Sequence, residues 1–114
     1  MRNILAEIVE KKKDIVAAAK RSLPLFEVRR RARVAGFRLS HRFRGKPWSL
    51  IAECKLQSPA KGRLCRAYSV TELAEIYEAN GASALSVHTD PHFLGSNEDF
   101  AKVRAMTALP MLNS

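Results

Sequence analysis

From Ser49 onward the chain alternates between short apolar runs and capped amphipathic segments, and that alternation restricts the fold more than any other feature. Residues 49–55 and 84–89, and a run beginning at Leu109, read as strands. Between the first two, Ser69-Val70-Thr71-Glu72 forms a capping box: Ser69 is the N-cap and Glu72 occupies the third helical position. The helix it opens carries Leu73, Ile76 and Tyr77, and Gly81 sits where a left-handed C-terminal residue is wanted. A second helix starts from Ser96 as N-cap with Asp99 at the third position, turning Phe100, Val103 and Met106 inward. Pro110 is tolerable as an early residue of the third strand. The order βαβαβ demands a parallel sheet with crossover helices. Such sheets are covered on both faces or closed into barrels, and three strands cannot close one. The expectation is either a small open α/β sheet covered by the N-terminal helices or part of something larger, and a third strand barely begun at Asn113-Ser114 favours the second.

The first 47 residues have a different texture. Ile4, Leu5, Ile8, Val9, Ile15, Val16 and Ala19 recur at helical spacing over 3–20, with Lys11, Lys12, Lys13 and Asp14 largely opposite. Leu23-Pro24-Leu25 breaks this helix, because proline cannot continue a helix interior. A short second helix is expected over 25–34. Residues 36–47 read as a basic connector anchored by Phe37, Leu39 and Phe43, and Trp48 is expected to pack at the start of the first strand. The domain reading is therefore a helical extension and connector over 1–47, then an α/β unit over 48–114.

Charge follows the same division. Residues 1–46 carry 14 Lys/Arg against 4 Asp/Glu, whereas residues 47–114 carry 6 against 7, which together make the net +9. A basic segment such as Arg29 to Lys46 raises a nucleic-acid-binding module as an alternative. It carries no aromatic ribonucleoprotein-type pattern and no evident recognition helix, so a solvated face is the simpler reading. No apolar run approaches the ~20 residues that span a bilayer. The start lacks the apolar core of a signal peptide, so a cytoplasmic location is expected. Cys54 and Cys65 fit no metal spacing and read as structural thiols in a reducing compartment.

The chemistry-bearing stretch is Ile51-Ala52-Glu53-Cys54-Lys55-Leu56-Gln57-Ser58-Pro59-Ala60-Lys61-Gly62. Alternation along a strand puts Glu53 and Lys55 on one face with Ile51, and Leu50, Ala52 and Cys54 on the packing face. Two opposite charges there are compatible with a partly exposed ion pair or with a site at the strand end.

This run resembles the first-strand motif of the indole-3-glycerol phosphate synthase family, approximately (I/L)-(A/L)-E-x-K-x-x-S-P-S-x-G. The resemblance continues through residues 81–90 (G-A-S-A-L-S-V-H-T-D), Phe93-Leu94-Gly95-Ser96 and Leu109-Pro110-Met111-Leu112, and Ile4 to Lys13 is similar to the family's extra N-terminal helix. It implies a partial (β/α)₈ (TIM) barrel: an N-terminal helical extension and the first three strands of a fold of about 250 residues. The implied reaction closes and aromatises a ring, turning a carboxyphenylamino-deoxyribulose phosphate into indole-3-glycerol phosphate with loss of carbon dioxide and water. No metal or organic cofactor is implied, and the implied partner is that small phosphorylated substrate. By resemblance Lys55 pairs with the substrate carboxylate, Glu53 positions or tunes Lys55, Ser58 contacts substrate, and Pro59 and Phe93 line an apolar slot for the aromatic ring. The family's third strand continues L-P-V-L-x-K-D-F, and its lysine is the principal general acid. Ser114 stands at that position, and a neutral hydroxyl has no ready proton to give near pH 7. Ala60 and His88 also depart from the motif, His88 reading as a packing residue. A chain ending here is expected to be inactive alone and to self-associate through unpaired strand edges. Another phosphate-handling barrel, such as phosphoribosylanthranilate isomerase, is an alternative without a specific match to Glu53-x-Lys55-x-x-Ser58-Pro59.

Overall fold

The computed structural model describes residues 2–34, 36 and 38–114, which fall into two compact units divided between residues 35 and 36. Phe37, one of the expected anchors of the connector, lies outside the described residues.

The first unit contains α1 (Ile4–Ser22) and α2 (Leu25–Arg31). Asn3 starts α1 by accepting a 3.1 Å hydrogen bond from the Ala6 amide, and Arg2 pairs with Glu7 at 2.6 Å. Pro24 stops it as the spacing predicts. The second helix is shorter than expected. Its end is set by Arg33, whose guanidinium donates to the carbonyls of Arg30, Arg31 and Ala32 at 3.0–3.2 Å and satisfies groups a further turn would have used. Glu27 pairs with both Arg30 and Arg31, so part of the basic run is neutralised within its own helix. No residue of either helix is fully buried.

In the second unit α3 (Arg38–Phe43) occupies part of the stretch read as a basic connector. Leu39 and Phe43 are four residues apart, lie on one side of its turn and are half-buried. Trp48 corrects the sequence expectation. It is 76% exposed, because the strand begins only at Ile51 and residue 48 lies outside the covered sheet.

The sheet is parallel, in the order β1 (Ile51–Cys54), β4 (Ala84–Val87), β5 (Met111–Asn113), joined by α4 (Val70–Ala79) and α5 (Asn97–Met106). This is the βαβαβ arrangement of a partial α/β barrel. All three strands are shorter than the apolar runs suggested. Pro110 precedes β5 instead of entering it, and its carbonyl accepts from the Leu85 amide at 3.0 Å. The central strand β4 is buried throughout, as a parallel strand between two neighbours should be.

Register separates the two faces. Ala52 pairs with Leu85 and Cys54 with Val87, and these four join Val70, Ala74, Ala82, Val103 and Leu109 in the core beneath the helices. Each large side chain fully buried in this way contributes about 1.5–3 kcal/mol. Leu73 and Tyr77 of α4 pack against this core, but Ile76 turns outward; the buried line of the helix runs through Val70 and Ala74. Both helix starts form as expected. Ser69 accepts from the Glu72 amide at 3.2 Å within a complete capping box, and Ser96 accepts from the Asp99 amide at 3.0 Å. Gly81 is left-handed, with φ 94°.

The opposite face carries Ile51 and Glu53 of β1, Ala84 and Ser86 of β4, and Leu112 of β5. Ile51 is 41% exposed and Leu112 37%. One further element was not anticipated. The loop after β1 closes as a hairpin, β2 (Gln57–Ser58) against β3 (Gly62–Arg63).

Candidate active site at the strand ends

Glu53 is the third residue of β1 and Lys55 the first beyond it, so both emerge at the strand's C-terminal end on the face away from the helices. Lys55 Nζ stands 3.8 Å from Glu53 Oε1. That distance is an ion pair without a hydrogen bond, so the carboxylate attracts the ammonium and consumes none of its three donors. The side chains are 29% and 42% exposed, and a pair this wet is worth at most about 1 kcal/mol to stability. Its geometry matters more than its energy: the ammonium is held near the strand end with its donors available to an incoming anion.

The other carboxylate oxygen is engaged from β4. Ser86 Oγ lies 2.9 Å from Glu53 Oε2 and 3.1 Å from Ser114 Oγ, which is itself 3.4 Å from the same carboxylate oxygen. Each hydroxyl has one proton, so the short Ser86 bond to the carboxylate is the strong member of this set. Ser86 is buried and paired in register with Glu53 across the parallel ladder. The sequence signal for it is a lone hydroxyl inside Ala84-Leu85-Ser86-Val87, which needs a hydrogen-bond partner but does not say which.

The end of β5 is tied to that of β4. The Ser114 amide donates to the Val87 carbonyl at 3.0 Å and the Thr89 amide donates to the Ser114 carbonyl at 2.7 Å. Ser114 is thereby placed beside Glu53.

Glu53 also reaches through the strand. The Cys54 thiol is pushed up to about 11, first by burial and second by the negative charge of Glu53. The Tyr77 hydroxyl is raised chiefly by burial, with Cys54, Cys65 and Glu53 adding smaller effects.

The remaining sequence candidates occupy two loops. Ser58 closes the first hairpin by accepting from the Lys61 amide at 3.1 Å, and Pro59 lies exposed at its tip. Phe93 ends a short 3₁₀ turn (Pro91–Phe93) and is half-buried, its ring edge-on to His88 at 6.1 Å. His88 is thus an aromatic packing partner. Leu94 holds a left-handed φ of 63°, and Gly95 lets the loop double back: a Cβ there would stand 2.5 Å from the His88 carbonyl oxygen. The structure joins Glu53, Lys55, Ser86 and Ser114 into one cluster, and it places Ser58, Pro59 and Phe93 on the loops that follow β1 and β4.

A parallel βα unit with charged side chains at the C-terminal strand ends has the organisation of a (β/α)-barrel enzyme site. The chain belongs to the indole-3-glycerol phosphate synthase family, which it matches over residues 5–114. It is 36% identical over 115 residues to an indole-3-glycerol phosphate synthase of Legionella pneumophila (strain Lens), covering 98% of this chain and 44% of that relative. A relative of the same name from Rhizorhabdus wittichii is 39% identical over 119 residues, covering 98% of this chain and 45% of its own length. A third, from Shouchella clausii, is 48% identical over 67 residues, 58% of this chain and 26% of that protein. The chain thus spans less than half the length of these relatives. None of its described helices is long and apolar enough to cross a membrane.

Proposed function

We infer that this chain carries the first-strand part of an indole-3-glycerol phosphate synthase site, a carboxy-lyase that closes the indole ring of carboxyphenylamino-deoxyribulose phosphate in tryptophan biosynthesis. The observation that carries this reading is the Lys55–Glu53 pair at the end of β1, with the second carboxylate oxygen held by Ser86. Lys55 receives the substrate's carboxylate, since its donors are not spent on Glu53. Glu53 attracts the ammonium and aims it. Ser58 contacts substrate from the first hairpin, and Pro59 and Phe93 flank the aromatic ring. Free thiols at Cys54 and Cys65 suit a cytoplasmic location for such an enzyme.

Ser114 limits the chemistry. Ring closure needs a proton at the substrate's carbonyl oxygen, and the hydroxyl beside Glu53 is not acidic enough to supply one near neutral pH. Binding without turnover is the expected behaviour of the 114-residue chain. The test is substrate affinity by calorimetry beside indole-glycerol phosphate formation by fluorescence. Lys55→Met should weaken substrate binding about tenfold or more, the loss of one charge-assisted contact. Robust turnover by the chain with Ser114 in place, or an affinity indifferent to Lys55→Met, overturns the reading.

A further inference from the structure

A second concentration of charge lies at the other end of the strands. His41 and Arg42 lie three and four residues after Arg38, so both neighbour it on one side of α3. That face lines a cleft of about 600 Å³ together with Glu78, in the last turn of α4, and Ala108-Leu109-Pro110, the turn into β5. These residues precede β4 and β5, whereas Glu53, Lys55 and Ser114 lie where strands end. The cleft is therefore separate from the candidate active site.

The turn into β5 is held in place. The Arg104 guanidinium donates to the carbonyls of Thr107 at 2.6 Å and Leu109 at 2.8 Å. Arg104 is also near enough to Arg38 to feel its charge: burial first, and Arg38 second, make its guanidinium easier to deprotonate than usual. Among the described residues no carboxylate lies within ion-pairing distance of Arg38 or Arg42. Positive charge is thus gathered around a concave surface with one carboxylate, Glu78, in its lining.

We propose that this cleft binds hydrogen phosphate, with the guanidinium groups of Arg38 and Arg42 on its oxygens and Glu78 accepting its P–OH proton. Guanidinium forks match the oxygens of a tetrahedral anion. Glu78 turns charge attraction into selectivity, because hydrogen phosphate has a proton to give to a carboxylate and sulfate at neutral pH has none. The ligand is free phosphate and not a phosphate monoester, whose dianion lacks that proton.

The test is a titration of the isotopically labelled chain with sodium phosphate, sodium sulfate and phenyl phosphate at matched ionic strength, followed by amide NMR shifts. Phosphate should shift the amides of residues 38–42 and 108–110 saturably, about tenfold more tightly than sulfate or phenyl phosphate. The double substitution Arg38→Gln, Arg42→Gln should weaken that response at least tenfold while leaving other amides in place. Glu78→Gln should narrow the preference over sulfate. Equal affinity for sulfate, tighter binding of phenyl phosphate, or a non-saturating drift spread across the basic helices overturns the proposal.

Discussion

The buried thiol behind the candidate site offers a direct test of the charge at Glu53. Cys54 is fully buried on the helix side of β1, one residue from Glu53, and its thiol is pushed from the ordinary 9.0 up to about 11. Thiolate is the species that alkylates. At pH 9 an ordinary thiol is half ionised and this one about 1% ionised, so ionisation alone should slow its reaction with iodoacetamide about 50-fold relative to the urea-unfolded chain. Burial is the larger cause and Glu53 the smaller, so Glu53→Gln should recover less than half of the two pH units. That corresponds to less than about a tenfold gain in rate at pH 9. The assay is the rate–pH profile of Cys54 by peptide mass mapping, which separates it from Cys65. The same difference links to folding. Below pH 9 both folded and unfolded states keep the proton. Between about 9 and about 11 the unfolded chain gives it up first and is favoured, so stability should decline across that window by at most about 3 kcal/mol. Cys54→Ala should lack this component of the pH dependence. A native midpoint near 9, or a Glu53→Gln midpoint that rises, refutes the reasoning.

Other consequences concern the frame of the site. Gly95→Ala places a Cβ 2.5 Å from the His88 carbonyl oxygen and 2.8 Å from the Asp90 amide nitrogen, so backbone must move; a loss of about 1–3 kcal/mol and faster amide exchange over 90–95 are expected. Leu85→Ala at the centre of β4 should cost about 2–5 kcal/mol by urea denaturation, a large fraction of the whole for so small a unit. The outer edges of β1 and β5, with Ile51 and Leu112 partly exposed beside them, should drive concentration-dependent self-association in ultracentrifugation, reduced by Ile51→Lys. A monomer with a sharp melt at every concentration would discard that prediction.

The sequence by itself determined the elements whose cause is local. Helix starts at Ser69 and Ser96 need only a hydroxyl and the amide three residues on, and the left-handed Gly81 needs only the absence of a side chain. Alternation on β1 likewise placed Glu53 and Lys55 together before any neighbour was known, and the motif around them pointed to the family that the chain's matches then showed. What the sequence misjudged depended on surroundings. Trp48 is exposed because the covered sheet begins three residues later, and α2 stops at Arg31 because the Arg33 side chain takes its carbonyls. The partners of the candidate site belong wholly to the tertiary structure. Ser86 and Ser114 lie 33 and 61 residues from Glu53, and only the register of parallel strands brings their hydroxyls to its carboxylate. The backbone ladder is common to all residues and fits any register, so which hydroxyl meets which acid is decided by how the buried faces of the strands pack with their helices, and no spacing along the chain states the pair.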